Sequence, residues 1–297
     1  MSTFQKVVDL VPDQIVGTFY QVATLQSKMM DYETDQWEDQ FFELMERAIR
    51  QGERQIKEQT ADPWTYFYLG NTYSYKGLYL ARRGSLIPGI KSARKGTGYL
   101  KSAVKLDRDL YDAYLGLGNY KYWSGRITKY LKWLPGISDE RSKGIEMVEM
   151  AVEKGKFSRW VGINSLAWVE YDRKAYMSAL DLFQMGLEKY PGSRFFLWGI
   201  ADTYYKIGNY GKAIAVYENL LESIQKEEHN NGYNEVVCRF KMIKCLMEEK
   251  EYRKAISHCD IIINKRVSDK IGKRIKGRRN ETKNFKKKCL RELGKDN

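Results

Sequence analysis

The 297-residue sequence contains few of the residues that carry most protein chemistry. It has only four Cys, five Pro and two His. Four Cys cannot form a disulfide framework in a chain of this length, and His229 and His258 offer little material for general-base catalysis. The longest apolar runs fall far short of the ~20 residues that cross a bilayer, so we expect no transmembrane segment. Few prolines and 13% aromatic residues favour helices packed through large rings.

Motifs of common enzyme and cofactor sites are missing as well. Gly116 and Gly118 begin a dinucleotide-type pattern, but Lys121 stands at the third glycine position. No phosphate-binding loop, zinc-protease motif or serine-hydrolase motif occurs in the sequence. We therefore predict a non-catalytic protein with no metal and no cofactor.

Two groups of residues match metal sites only in part. Cys238 and Cys245 lie seven residues apart on one helical face, with Cys259 on the next helix, but this spacing matches no zinc finger. Core packing is the preferred interpretation of these thiols. A second group alternates like the calcium ligands of an EF-hand: Asp31, Glu33, Asp35 and Asp39. It lacks the required Gly and the final Glu, so a solvated acidic turn is preferred.

The net charge of +13 is distributed unevenly along the chain. The net charges of successive segments are −6 for residues 1–62, +10 for 63–138, −1 for 139–264 and +10 for 265–297. No Asp or Glu occurs between Asp62 and Asp107. The basic character therefore lies in two separate regions, which argues against one uniform nucleic-acid-binding face.

An internal repeat dominates the second half of the sequence. Ala167 is followed by Ala179 and Phe183, and the same spacing recurs 34 residues later, from Ala201 to Ala213. A Tyr stands three residues before the central Ala of three successive copies: Tyr176, Tyr210 and Tyr252. This pattern resembles the tetratricopeptide repeat (TPR) family. The resemblance implies an all-α fold, a right-handed superhelical solenoid of helix-turn-helix repeats.

Two upstream repeats show the same signature with its two halves further apart. From Gly70 to Leu100 and from Gly118 to Val148 the separation is 30 residues, whereas it is 16 in the regular repeats. The extra 14 residues, shared between two helices, add about two turns or ~10 Å to each. We therefore predict helical hairpins that protrude from the stack.

This register predicts the organisation of the whole chain. The solenoid covers residues 1–264: a partial repeat at 1–14, long-helix repeats at 15–62, 63–110 and 111–159, and regular repeats at 160–193, 194–232 and 233–264. A basic segment, 265–297, follows with a short capping helix whose apolar side is Phe285, Cys289, Leu290 and Leu293. The partial repeat indicates either a natural start further upstream or a capping helix, and we favour the former. As given, the chain is expected to be cytoplasmic; a signal peptide missing upstream would make it an exported protein.

The resemblance also implies a concave groove lined by the first helix of each repeat. Carried onto this sequence, the groove residues are Asn71, Tyr75, Asn119, Tyr122, Trp123, Trp168, Tyr171, Trp198, Asp202, Tyr205 and Lys206. Aromatic side chains with polar groups suit an extended peptide. Alternatively, the same rings stack between adjacent repeats. The groove predicts a protein-binding adaptor or scaffold whose partner is a peptide or protein segment, and an acidic partner is one option.

The tips of the long hairpins carry a second candidate surface. Its residues are Arg82, Arg83, Arg94, Lys95, Arg126, Lys129, Lys132 and Trp133. These cations either pair with the acidic tip at residues 31–39, each pair contributing ~0.2 to 1 kcal/mol, or bind a partner. The alternative function is therefore binding of an anionic surface, RNA or acidic lipid headgroups, through these tips and the basic C-terminal tail.

Overall fold

A computed structural model describes residues 2–128 and 139–294. In these two ranges the chain forms fourteen α-helices and no β-strand, which confirms the all-α prediction. In chain order the helices are α1 (Ser2–Leu10), α2 (Ile15–Tyr32), α3 (Glu38–Lys57), α4 (Pro63–Arg82), α5 (Leu86–Leu106), α6 (Tyr111–Thr128), α7 (Arg141–Lys154), α8 (Arg159–Asp172), α9 (Tyr176–Lys189), α10 (Arg194–Lys206), α11 (Tyr210–Gln225), α12 (Tyr233–Glu248), α13 (Tyr252–Asn264) and α14 (Asp269–Leu293).

The chain divides into two compact units. The first comprises the residues up to 29 together with 35–169, and the second comprises 30–34 and the residues from 170 onwards. One core of the first unit is built around Phe19, Phe41 and Leu69, which are all buried. The second unit has a core around Tyr217 and another around Ile243.

The α4–α5 hairpin begins with a strong helix start signal. The Asp62 carboxylate accepts a hydrogen bond from the Thr65 backbone N–H at 2.7 Å, and Pro63 occupies the first helical position. Such a cap satisfies one of the backbone donors that the first turn leaves without a partner. Gly84, with φ of 85°, forms the turn between the two helices. A left-handed φ of this kind favours glycine because it lacks a Cβ.

The two helices of this hairpin have the extra length that the repeat register predicts. Helix α4 has 20 residues and α5 has 21, whereas α8 and α9 have 14 each. The difference corresponds to about two helical turns, or ~10 Å. In the next hairpin, α6 has 18 residues and α7 has 14.

Glycines let α4 and α5 approach each other at backbone distance. A Cβ added at Gly77 would lie 2.8 Å from the carbonyl oxygen of Gly89, and one at Gly89 would lie 2.9 Å from that of Gly77. A Cβ at Gly96 would lie 2.5 Å from the oxygen of Gly70. We call these four residues the glycine seam. At Gly77 and Gly89 the two helices approach through their backbones, whereas at Gly70 the side chain of Leu100 also packs against the seam.

The C-terminal helix differs from its prediction. Helix α14 has 25 residues and begins at Asp269, so it is much longer than the short helix expected near the end of the chain. It contributes Ile271, Ile275 and Cys289 to the core of the second unit, whereas Leu290 is exposed. Its apolar side therefore excludes Leu290. None of the helices in the described ranges is both long enough and apolar enough to cross a bilayer.

Candidate functional site

An open pocket of about 170 Å³ lies in the second unit. It is lined by Tyr171, Asp202, Tyr205, Lys206, Tyr217, Lys241 and Lys244. Four of these residues belong to the predicted groove: Tyr171, Asp202, Tyr205 and Lys206. They lie on α8 and α10, which are the first helices of two successive repeats. Lys241 and Lys244 come from the next first helix, α12. The repeat thus places equivalent faces of three helices around one cavity, which we call the Asp202 pocket.

Asp202 is the centre of the polar contacts in this pocket. Its carboxylate accepts a short hydrogen bond from the Tyr217 hydroxyl and lies 2.6 and 2.5 Å, through its two oxygens, from Lys241 Nζ. Tyr217 is only 1% exposed, and burial, followed by the charge of Asp202, raises the pKa of its phenol. The phenol therefore stays protonated and serves as a donor to the carboxylate.

Aromatic rings surround this polar centre. Trp198 packs edge-on against Tyr217, with ring centroids 6.2 Å apart, and Lys241 Nζ lies 5.3 Å from the Trp198 ring. Tyr171 and Tyr205 make edge or tilted contacts with the rings that follow them in the chain, at the starts of α9 and α11. Burial raises the pKa of both Tyr171 and Tyr205, so both remain neutral hydroxyls at physiological pH.

The charges lining the pocket do not balance. Lys206, Lys241 and Lys244 face a single lining carboxylate, Asp202, which already accepts hydrogen bonds from Lys241 and a tyrosine. Lys244 lies 3.6 Å from Glu281, but both side chains are well exposed, so this pair is weak. The pocket therefore offers two ammonium groups and phenolic hydroxyls to a ligand, which favours a carboxylate.

The predicted groove residues of the first unit make mostly internal contacts. Asn71 Nδ2 donates to the Phe67 carbonyl at 3.0 Å, and Asn119 Oδ1 accepts a short hydrogen bond from the Ser165 hydroxyl. Tyr75 stacks on a core phenylalanine, and burial raises the pKa of its phenol to about 12. The groove candidate on α8, Trp168, is half-buried. These side chains contribute to packing between helices as well as to the surface.

Tyr122 requires a correction. We predicted it as a groove residue, but its side chain is only 1% exposed and its hydroxyl donates to the Val169 carbonyl at 3.4 Å. The ring is thus part of the core, because its position on α6 faces α8 rather than solvent. Its neighbour Trp123 is 39% exposed and packs edge-on against it at 5.0 Å.

The basic tip residues have different surroundings. Arg83 lies 3.7 Å from Asp35 and 3.6 Å from Glu38, which are contacts of the kind expected between neighbouring tips. Lys95 donates to Glu53 at 2.8 Å and to the Tyr73 hydroxyl at 2.7 Å, and these contacts raise the pKa of its ammonium. Lys95 is therefore engaged within its own unit. Arg82, Arg94 and Arg126 are exposed, whereas Lys129, Lys132 and Trp133 lie outside the described residues.

Two carboxylates of the predicted acidic tip have cationic partners within the second unit. Asp31 forms a bidentate pair with Arg194, at 2.5 Å to Nη2 and 2.9 Å to Nε. Glu33 lies 2.6 Å from Arg274 Nη2. Neither carboxylate is the freely solvated group that an acidic turn would provide. Arg274 also stacks on the Tyr233 ring at 3.7 Å, so at least part of the basic C-terminal segment serves internal packing.

The four cysteines are free and buried. Burial raises the pKa of Cys245 and Cys259 to about 12 and also raises that of Cys238 and Cys289. Such thiols are protonated and unreactive at neutral pH. In the described ranges, no three side chains of His, Cys, Asp or Glu lie close enough to hold a metal ion.

Two lysines of the Asp202 pocket are missing from the predicted groove. The repeat pattern could have identified Lys244, because Ile243 and Ala201 are equivalent repeat positions and Lys244 therefore corresponds to Asp202. No sequence pattern identifies Lys241, whose contact with Asp202 is visible only in the folded chain.

Among the comparisons with known proteins, the one with solved structures supports the architecture. The sequence matches no protein-family profile and none of the curated proteins. Solved structures similar to the chain include two with TM-scores above 0.5. The Cut9–Hcn1 hetero-tetramer of the APC/C has a TM-score of 0.57 at 11% identity, over 88% of this chain and 42% of the Cut9–Hcn1 chain compared. This chain therefore spans less than half the length of that one.

The second similar structure is PilW, a type IV pilus biogenesis factor. It has a TM-score of 0.55 at 11% identity, over 86% of this chain and 98% of PilW. Both structures are built from tetratricopeptide repeats, and at this level of identity the similarity concerns the fold. The 34-residue spacing and these two structures agree, and the chain has the tetratricopeptide-repeat fold.

Proposed function

We propose that the protein is a non-catalytic adaptor that binds an acidic peptide segment in the Asp202 pocket. Proteins with this fold are generally protein-interaction adaptors. The observation that carries the proposal is the charge of the lining, in which Lys206 and Lys244 face a cavity whose only lining carboxylate is already neutralised by Lys241. A peptide carboxylate would meet ammonium groups and neutral phenols there.

The aromatic lining supports a peptide rather than a small anion. Tyr171 and Tyr205 present large rigid faces with one hydroxyl each, and such side chains lose little conformational entropy on binding. The pocket is too open and too small to enclose a large cofactor. An extended segment that places one acidic side chain in the pocket and lies across the neighbouring rings would use both features.

Selection from a random peptide library displayed on phage tests this proposal. We expect the immobilised full chain to enrich peptides with Asp or Glu beside apolar residues. The double variant Lys206→Glu, Lys244→Glu is expected to lose that enrichment. Lys273→Glu, a charge reversal at an exposed site on α14 of the same unit, is expected to retain it. Enrichment of basic peptides, or the same acidic peptides from the double variant, would contradict the proposal.

A further inference from the structure

The end of the α4–α5 hairpin exposes aliphatic side chains that the fold leaves uncovered. Leu86, Ile87 and Ile90 are 61%, 70% and 51% exposed, respectively. They lie in the first two turns of α5, directly after the turn at Gly84. We call these three residues the aliphatic tip. Exposed large aliphatics in such a cluster commonly mark an interaction surface.

The packing of the hairpin explains why these side chains point outwards. The glycine seam brings α4 and α5 together at backbone distance, and Gly89 itself occupies the inward position of the first turns of α5. No space remains between the two helices for a Leu or Ile side chain at this level. The aliphatic tip therefore adds little to the stability of the hairpin, while it leaves apolar area in water, which is unfavourable unless a partner covers it.

Cations follow the aliphatic tip on the same face of α5. Lys91 is four residues after Ile87, and Arg94 is four residues after Ile90, so each cation lies one turn, about 6 Å, further from the end of the hairpin. Both cations are exposed, and neither forms an ion pair with a carboxylate of the described chain. Exposed Arg82 lies at the end of α4, beside the same turn. The segment between residues 62 and 107 itself contains no acidic residue, and the carboxylates of Asp35 and Glu38 lie 3.7 and 3.6 Å from the adjacent Arg83.

This arrangement matches the layers of an anionic membrane surface. Apolar side chains enter the boundary between headgroups and acyl chains, and cations about one helical turn behind them lie at the level of the phosphates. A single-stranded RNA would use the cations but has no comparable place for three adjacent aliphatic side chains. The combination of the aliphatic tip with cations one helical turn behind it therefore favours a lipid surface over a nucleic acid as the ligand.

We propose that the α4–α5 tip docks the protein on an anionic lipid bilayer. The aliphatic tip enters the interface, and Arg82, Lys91 and Arg94 contact lipid phosphates. The contact is peripheral, because it uses only the end of one hairpin. It is independent of the Asp202 pocket, which lies in the other unit.

Sedimentation with vesicles tests the proposal. The full chain should bind vesicles of phosphatidylcholine and phosphatidylserine in equal parts, and it should bind vesicles of phosphatidylcholine alone much more weakly. The variant Leu86→Ser, Ile87→Ser, Ile90→Ser should reduce the partition coefficient about a hundredfold or more. Its matched control replaces three similarly exposed apolar residues elsewhere: Leu106→Ser, Val161→Ser and Met177→Ser. This control should bind like the original chain.

The charge contribution has its own pair of variants. Arg82→Gln, Lys91→Gln and Arg94→Gln should lower the partition coefficient about fivefold for each cation removed. The control removes three exposed cations from the opposite end of the same hairpin and the turn after it: Lys101→Gln, Lys105→Gln and Arg108→Gln. Equal losses in both triple variants would show that only the net charge matters and would overturn the assignment to the tip.

A fluorescent label reports where the lipid contact lies. The four native thiols are buried with raised pKa values, so a thiol probe should react selectively with the variant Ile87→Cys. An environment-sensitive probe there should shift to the blue on addition of anionic vesicles, and the same probe at Val161→Cys should not. Absence of binding to anionic vesicles, or displacement of the chain from them by single-stranded RNA together with an unshifted probe at position 87, would overturn the proposal.

Discussion

Lys241 Nζ lies 2.5 Å from Asp202 Oδ2, and the Tyr217 hydroxyl donates to the other oxygen of the same carboxylate. Lys241, Asp202 and Tyr217 lie on α12, α10 and α11, respectively. Their contacts therefore connect the polar residues that line the pocket to the core of the second unit. The same carboxylate that sets the charge of the proposed binding site also helps to hold three helices in register.

Replacement of Asp202 should therefore reduce stability. Asp202→Ala leaves the buried Tyr217 hydroxyl without its acceptor and Lys241 without its counter-ion, and the expected loss is about 2 kcal/mol. Urea unfolding of the full chain measures the loss. Asp181→Ala, which removes an exposed carboxylate from α9, should change stability by less than about 0.5 kcal/mol. A similar small change at Asp202 would show that the contact is unimportant in solution.

The Asp31–Arg194 pair predicts a contrast between two aspartates of the chain. Asp31 forms a bidentate ion pair with Arg194, which is buried. Asp13 forms its ion pair with Arg54 at the exposed surface. Asp31→Asn leaves the arginine with only the longer contact to the Glu227 carboxylate, at 3.3 Å, and should cost about 2 kcal/mol. Asp13→Asn should cost less than about 1 kcal/mol. If the midpoints of urea unfolding fall equally for both variants, the pair with Arg194 is not a stabilising contact.

His258 predicts a loss of stability in mild acid. Burial, followed by the charge of Arg239, lowers the pKa of its imidazole from 6.5 to about 4, and Arg239 Nη1 lies 3.1 Å from its Nδ1. Below pH 6.5 the unfolded chain binds a proton at this residue that the folded chain does not bind until about pH 4. The free energy of unfolding should therefore fall between these pH values, by roughly 1 to 2 kcal/mol after allowance for the partial exposure of the ring.

Replacement of His258 tests this pH dependence. His258→Asn keeps a hydrogen-bond acceptor toward Arg239 but cannot titrate, so it should flatten the stability profile between pH 6.5 and 4. Urea unfolding curves of the original chain and the variant at several pH values measure the difference, and a profile that His258→Asn does not flatten would assign the acid sensitivity to other groups.

The glycine seam predicts opposite effects for two Gly-to-Ala substitutions in α5. A methyl group at Gly89 would lie 2.9 Å from a backbone oxygen of α4, whereas one at Gly98 would meet no atom within 4 Å. Gly89→Ala should thus destabilise the chain by about 1 to 3 kcal/mol. Gly98→Ala should stabilise it by up to about 1 kcal/mol, because alanine is the better helix former. Thermal unfolding of the two variants measures the difference, and an equal gain in both would show that the two helices do not touch at the seam.

The repeat spacing predicted much of this architecture because each repeat buries the same positions. Ala167, Ala201 and Ala213 fall on buried faces, and the length of α4 and α5 follows from the separation of the two halves of their repeat signature. The placement of Asp202 and Tyr205 beside one pocket follows from the same periodicity, since first helices present equivalent faces to one side.

Other features depend on contacts that periodicity does not encode. Asp31 and Arg194 are 163 residues apart and occupy no equivalent repeat positions, so only the folded chain shows the pair. Tyr122 has the sequence context of a groove residue, but its hydroxyl contacts a backbone carbonyl in the core. The exposure of Leu86 and Ile87 depends on the glycine seam, because a hydropathy pattern alone places aliphatic residues inside.

Isothermal titration of the full chain with an acidic peptide from the phage selection tests the proposed function most directly. The double variant Lys206→Glu, Lys244→Glu should weaken binding by at least about tenfold, because two attractive charges become repulsive, while its urea midpoint stays close to that of the original chain. Lys273→Glu should bind within about twofold of the original. Unchanged affinity in the double variant, or an equal loss in Lys273→Glu, would contradict peptide binding in the Asp202 pocket.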